Sequence, residues 1–192
     1  MDYKLSEYCD AKMAGEDFSN KDLSGKSFFD CKFNNCNFTE CNLQKTEFEN
    51  CSFDGCNFSN PQIINTRFND GRFSNCKIMG INFYKCDQFV FDVSFDGCHI
   101  GQCNFSELRM KGVKFLKCEI SDCDFKRTYL VEASFEGSVF KQTLFHEANL
   151  EKSSFYDAHG YSIDPRFNKI KGARFSVPDV INLLSSFDIK IK

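Results

Sequence analysis

Large apolar side chains return at every fifth position of this chain. Starting at Phe18 and continuing through Leu23, Phe28 and Phe33, fourteen consecutive positions at that spacing are large and apolar, the last being Phe83. A second run of thirteen begins at Phe95 and ends at Phe155. Phe83 and Phe95 are twelve residues apart, so the frame slips once by two residues, within Cys86–Asp92. No straight element can bury such a pattern. On an α-helix a step of five residues rotates about 140° past a full turn, which scatters the apolar groups around the cylinder. On one continuous strand an odd period sends successive residues to opposite faces. The chain must turn once per repeat, so that each large residue points at a shared axis. That describes a solenoid of short sides.

The rest of each repeat agrees. Two positions before the large residue the side chain is small, as at Cys31, Cys36, Cys41, Thr46, Cys51 and Cys56. Residues two apart on an extended segment share a face, so both point inward. The residue between them is outward and mostly polar, and the two that follow are Ser, Asn, Asp, Gly or Glu, as a turn requires. The predicted core includes Phe18, Phe28, Phe33, Phe38, Phe48, Phe53 and Phe58. It continues through Phe105, Phe115, Phe125 and Phe135, with Cys31, Cys36, Cys51, Cys56, Cys103 and Cys123 in the small slots. Eleven of the twelve cysteines, all but Cys9, occupy such slots, where a thiol packs as a compact hydrophobe. Zinc needs paired ligands converging on one point, whereas spacing by five puts neighbouring thiols on different sides. Cysteines twenty apart should stack within disulfide reach, but with parallel Cβ vectors that disfavour the bond. The phenylalanine ladder, which could serve as a base-stacking platform, lacks interleaved basic residues and is read as core.

Charge narrows the functional classes. With 24 basic and 27 acidic residues the net charge is −3, which is not that of a basic nucleic-acid binder. No stretch approaches the length of an apolar membrane span, and the first residues show no export signal. Together with twelve cysteines this carries the expectation of a cytoplasmic protein with free thiols. The three histidines, His99, His146 and His159, fall in outward or turn positions without a neighbouring nucleophile. There is no Gly-rich phosphate loop, HExxH or GxSxG. Neither catalytic residues, metal ligands nor a cofactor are expected, and the chain is read as a non-enzyme.

Over roughly residues 16–160 the repeat resembles that of the pentapeptide-repeat family, whose loose motif is small, polar, Leu or Phe, polar, variable. The resemblance implies an all-β fold, a right-handed quadrilateral parallel β-helix with four repeats per coil, here about seven coils. Residues 1–15 would then be a lead-in or cap, 16–160 the solenoid, and 161–192 a C-terminal cap and dimerisation segment. In that last segment, Ser176-Val177-Pro178-Asp179 reads as a helix start. Phe187, Ile189 and Ile191 alternate with charged residues like a short strand. The IDPRFNKI stretch (163–170) followed by helix and strand resembles the DNA-mimicking members, in which such a tail joins two rods. It assigns dimerisation to Phe175, Val180, Ile181, Leu183, Leu184, Phe187, Ile189 and Ile191; a plain end cap is the other reading.

The same branch, the Qnr-type proteins and their mycobacterial relatives, presents a rod that resembles duplex DNA to DNA gyrase or topoisomerase IV. The implied partner is therefore a protein, with no direct nucleic-acid contact and no membrane. Sorting outward residues by side gives one acidic stripe of Asp30, Glu47, Glu49, Asp70, Asp87 and Asp92, against Lys26 and Arg67. It is either the partner-binding face or part of a mixed soluble surface. The sequence looks like the loopless members, because the only interruption is the slip CDQFVFDV (86–93), either a bulge or an exposed contact patch. The competing functions are an interaction scaffold without a topoisomerase role and an immunity protein against a gyrase-directed toxin.

Overall fold

The computed structural model describes residues 5–187 and 189. The chain winds as a four-sided parallel β-solenoid whose strands pair at a register of twenty residues. On the first side Glu7–Cys9, Ser27–Phe29 and Glu47–Glu49 pair in order and continue onto Arg67–Ser74. On the second, Lys12–Ala14, Lys32–Asn34 and Ser52–Asp54 lead onto the same long strand, then to Phe91–Asp96 and Lys114–Leu116. The third side runs through Asn57–Ser59, Lys77–Met79, His99–Gly101, Glu119–Ser121 and Val139–Lys141. The fourth is held by single bridges such as Asn42 to Gln62 and Asn82 to Asn104. There are about eight turns where about seven were expected. The extra turn comes from Glu7–Cys9 and Lys12–Ala14, where Tyr8 and Met13 already fill inward positions.

Each corner needs a residue that reverses the backbone, and the position two after the large residue supplies it. Among the described residues twenty-one non-glycine positions have positive φ, including Asn20, Asn35, Lys45, Asn60 and Arg127, all at that place in the repeat. A left-handed residue costs about 1–2 kcal/mol for an ordinary side chain and less for Asn or Asp, which is why Asn, Asp and Gly crowd this column. The outward Asn or Asp before the large residue supports the same corner. Its side-chain oxygen accepts the N–H two residues on, as from Ser19 to Asp17 (3.0 Å), Thr39 to Asn37 (3.1 Å) and Ser106 to Asn104 (2.8 Å).

The inward rings stack in columns. On the second side Phe33, Phe53, Phe73, Phe95, Phe115, Phe135, Phe155 and Phe175 lie face to face, with centroids 4.7–5.3 Å apart. Rings on adjacent sides of one coil meet edge to face, as Phe105 and Phe115 do at 5.6 Å. Both arrangements are favoured by the ring quadrupole.

The first-side column is broken. It runs Tyr8, Phe28, Phe48, Phe68 and resumes at Met110, Leu130 and Leu150. Gln88 stands where the intervening large residue was due. Lys85, which should have turned the corner, lies instead in a short 3-10 helix, Phe83–Lys85. The two extra residues are absorbed as a bulge, with a register shift between Phe91 and Val93. Phe91 turns its ring edge-on to Phe68 at 6.3 Å and stays half-buried, while Phe89 is 100% exposed.

The tail forms a 3-10 helix over Asp179–Phe187 rather than an α-helix. Three residues per turn put Val180 and Leu183 in one row toward the last coil, and Leu183 is only 8% exposed. Of the strand expected beyond it, Phe187 belongs to this helix and Ile189 is exposed. Asp188, Lys190, Ile191 and Lys192 lie outside the described residues, so the expected contact through Ile191 does too.

These contrasts predict opposite outcomes for two phenylalanines. Phe115→Ala should destabilise the protein by about 3–5 kcal/mol, because its ring is buried between two others. Phe89→Ala should shift stability by less than about 0.5 kcal/mol. Denaturant unfolding followed by circular dichroism reads both.

Candidate functional site

The buried thiols were the first chemical candidates, and their surroundings explain them. Cys51 donates to the carbonyl of Phe28 (3.3 Å) and Cys76 to that of Phe53 (3.4 Å), in each case the large residue of the coil beneath. Thr46 and Ser138 make the same bond to Leu23 (2.9 Å) and Phe115 (2.8 Å). The slot therefore accepts a small side chain to which Cys, Thr and Ser alike add one donor, while Ala133, Ala148 and Ala158 fill it without one. The sequence reading gave these thiols a packing role and missed the bond. Burial pushes Cys41 and Cys51 up to about 12, so both stay protonated and poorly nucleophilic. All twelve cysteines are free, and Cys9 is the exposed one. Among the described residues no three His, Cys, Asp or Glu side chains group as a metal site would need.

The histidines pair with acids. His99 Nδ1 lies 2.9 Å from Glu119, His146 is 3.7 Å from Glu147, and His159 Nδ1 is 2.9 Å from Asp179.

The acidic residues do gather. Asp30, Glu47, Glu49 and Asp70 occupy the first side or its corner, and Asp87 and Asp92 flank the bulge on the same side. Glu7 and Asp10, in the coil that the repeat pattern did not count, extend the patch to eight acids against Lys26 and Arg67. Arg67 stands among them, 3.1 Å from Asp87 and 3.9 Å from Glu47. Arg72 from the adjoining side binds Asp70 and Asn50, and Asn50 in turn binds Asp30. Glu49 and Asp92 have no ion-pair partner among the described residues. The Phe89 N–H, 3.0 Å from Asp87 Oδ1, and the Arg67 guanidinium hold the Asp87 carboxyl below the usual carboxylate range. The exposed ring of Phe89 is thus carried on a loop braced from the coil below.

Beyond the bulge the first side changes sign. Its outward positions there carry Arg109, Lys111, Lys152, Lys169 and Lys171 against Glu132 and Glu151. At the change of sign Arg109 bridges forward to Tyr129 but to nothing in the bulge. The indentation left, about 270 Å³, is lined by Phe91, Asp92, Val93, Arg109, Met110, Lys111 and Val113.

The third feature is the tail. The row beside Val180 and Leu183 holds Ile181, Leu184 and Phe187, exposed at 44, 40 and 47%. Phe175, by contrast, stacks on Phe155 at 5.2 Å and completes the last coil. The apolar set assigned to dimerisation therefore divides into residues held by their own rod and residues facing out.

Models of the pentapeptide repeat region match residues 3–71, 26–105 and 46–122, and a model of eight pentapeptide repeats matches 123–159. The chain belongs to the pentapeptide-repeat family. No curated protein matches it. Among solved structures, this pentapeptide-repeat chain is similar to full-length QnrB1, a plasmid-mediated fluoroquinolone resistance protein. The two share 16% identity over 95% of this chain and 100% of that one, with a TM-score of 0.60. A trypsin-treated form of the same protein gives 18% identity, 97% and 90% coverage, and a TM-score of 0.59. At such identities the likeness is one of fold. Among the described residues of this family member no helix is long and apolar enough to cross a membrane.

The tail of this pentapeptide-repeat rod should dock in a pH-dependent way. The hydrogen bond that His159 donates to Asp179 raises His159 above its ordinary 6.5, and the same bond with the Gly160 N–H lowers Asp179 below 3.8. The histidine term is complete below pH 6.5 and is lost as pH rises through the raised value. The carboxylate term is present above pH 3.8 and is lost as pH falls through the lowered value. Exchange protection of the 179–187 amides, corrected for intrinsic rates, should therefore peak in weak acid. It should fall toward neutral and alkaline pH, and His159→Gln should remove that alkaline fall.

Proposed function

We propose that this protein acts without catalysis, in the cytoplasm, by binding a type II topoisomerase such as DNA gyrase at its DNA site, and so modulates the enzyme or shields it from quinolones or toxins. The observation that carries this reading is the density of acids on the first side. Eight fall within four coil spacings, about 19 Å, where duplex DNA would carry about 11 charges. The net charge of −3 conceals this, because the compensating bases sit elsewhere. The resistance named for QnrB1 belongs to that protein and adds a reason to test the same enzyme here.

A second reading, a pentapeptide-repeat scaffold for another partner, is favoured by Arg67 and Arg72, which tie down three of the acids, and by the basic half of the same side. A supercoiling assay with gyrase, with and without a fluoroquinolone, separates the two. The wild-type protein should inhibit or rescue the enzyme. A variant with Asp30→Asn, Glu47→Gln, Glu49→Gln and Asp70→Asn should need at least about tenfold more protein, by loss of charge pairing. Asn keeps the left-handed corners at 30 and 70. No effect of the wild type at tens of micromolar would leave the scaffold.

The exposed row Ile181, Leu184 and Phe187 supports, as part of this proposal, a homodimer through the C-terminal segment. Ile181→Asp with Leu184→Asp should convert that dimer to monomer in sedimentation equilibrium at about 0.5 M salt, where surface charge pairs are screened, without changing the core, since neither side chain is buried.

A further inference from the structure

The first side is built as a self-complementary surface, and we propose that two copies of this chain pair antiparallel through it, face to face. Nine coil levels cross this side, with inward residues Tyr8, Phe28, Phe48 and Phe68, the bulge, then Met110, Leu130, Leu150 and Ile170. The bulge is the fifth of nine. Taken together the four levels before it carry an excess of acids and the four after it carry five bases against Glu132 and Glu151, so the net sign changes at the middle of the rod.

A two-fold axis lying in the interface beside the bulge reverses one rod against the other and keeps each lateral position opposite its own kind. It sets the first level against the ninth, the second against the eighth, and the fourth against the sixth. Glu7 then faces Lys169 and Asp30 faces Lys152, each pair made twice by symmetry, while Lys111 stands one lateral position from Asp70 across the interface. Two oppositions are unfavourable. Arg67 meets Arg109, though Arg67 is already tied to Asp87 at 3.1 Å. The third level sets Glu47 and Glu49 against Tyr129, Val131 and Glu132 of the seventh, where Glu132 is tied to Lys111 at 3.4 Å.

Near the axis stand a knob and a hole. Phe89 is fully exposed on its braced loop, and the indentation of about 270 Å³ beside Met110 and Val113 lies about one coil further on. An axis passing between the two lets each Phe89 enter the partner's indentation. The apolar lining from Phe91, Val93 and Val113 suits a ring, and Arg109 at its rim offers a cation to the ring face.

The size fits a specific but weak dimer. Eight coil spacings of about 4.8 Å by roughly four residues of strand cover about 500 Å² per copy, or about 1,000 Å² in all. That is at the lower limit for a specific interface. Charge pairs then set much of the affinity, which makes it sensitive to salt. This pairing does not depend on the topoisomerase reading, and it would cover the acids that reading uses.

Sedimentation tests it on the full chain. Ile181→Asp and Leu184→Asp are carried throughout, so that contact through the tail does not contribute. This parent should dimerise at about 0.05 M salt and weaken at least about tenfold by about 0.5 M, a titration that needs no substitution on the face. Lys111→Glu, Lys152→Glu and Lys169→Glu together should give a monomer, and so should Glu7→Lys, Asp30→Lys and Asp70→Lys together. An equimolar mixture of the two reversed proteins should restore a one-to-one dimer. Phe89→Ser alone should weaken the parent about tenfold, as loss of a buried aromatic anchor does. A parent that stays monomeric at about 100 µM in low salt overturns the proposal. So do reversed variants that still self-associate, or a mixture that does not combine.

Discussion

Each coil of this protein must sit on the one beneath it with its main chain in register, and that condition governs nearly everything else. The ladder bonds repeat every twenty residues, so like positions come to lie over like positions. Rings therefore stack on rings, and thiols such as Cys51 and hydroxyls such as Thr46 find the equivalent carbonyl below. Hydrophobic burial supplies the driving force, but the register decides which group meets which. Stability accordingly builds from neighbouring coils rather than from a central cluster.

Much of this was legible in the spacing of apolar residues. Phe18 through Phe83 and Phe95 through Phe155 all occupy inward columns, as their period requires, and eleven cysteines fill the slots beside them. Tyr8 and Met13 fit the same period but precede the run that begins at Phe18, so residues 1–15 read as a lead-in or cap. The first coil, and with it Glu7 and Asp10, was missed for that reason. The slip was legible as a length of two residues but not as a shape. Whether Phe89 or Phe91 would turn in depends on Gln88 and Lys85 failing at an inward site and at a corner, which only the folded coil reveals. The tail was legible as a helix start but not in its period: at three residues per turn, Val180 and Leu183 separate from Ile181 and Leu184, which an α-helix would place on one face.

The surface obeys different rules from the core. Outward positions need only solubility and a corner residue, so charge is free to vary from side to side without cost to the fold. Three sides of the rod carry mixed charge, while one has eight acids gathered in one half and five bases in the other. That freedom suits a binding protein, whose partner can be changed by substituting outward side chains while the main-chain ladder stays as it is.

The interrupted ladder between the bulge and Arg109 has a mechanical consequence. Across this level the second side stays paired from Arg72 through Ser94 to Lys114, and the third from Lys77 through His99 to Glu119. The fourth stays bridged from Asn82 to Asn104. A column fastened along three edges and open along the fourth resists stretching and twisting, yet can flex like a leaf spring toward or away from the open edge. The rod has one soft direction, at its midpoint, and that direction lies in the plane perpendicular to the side where its charge reverses.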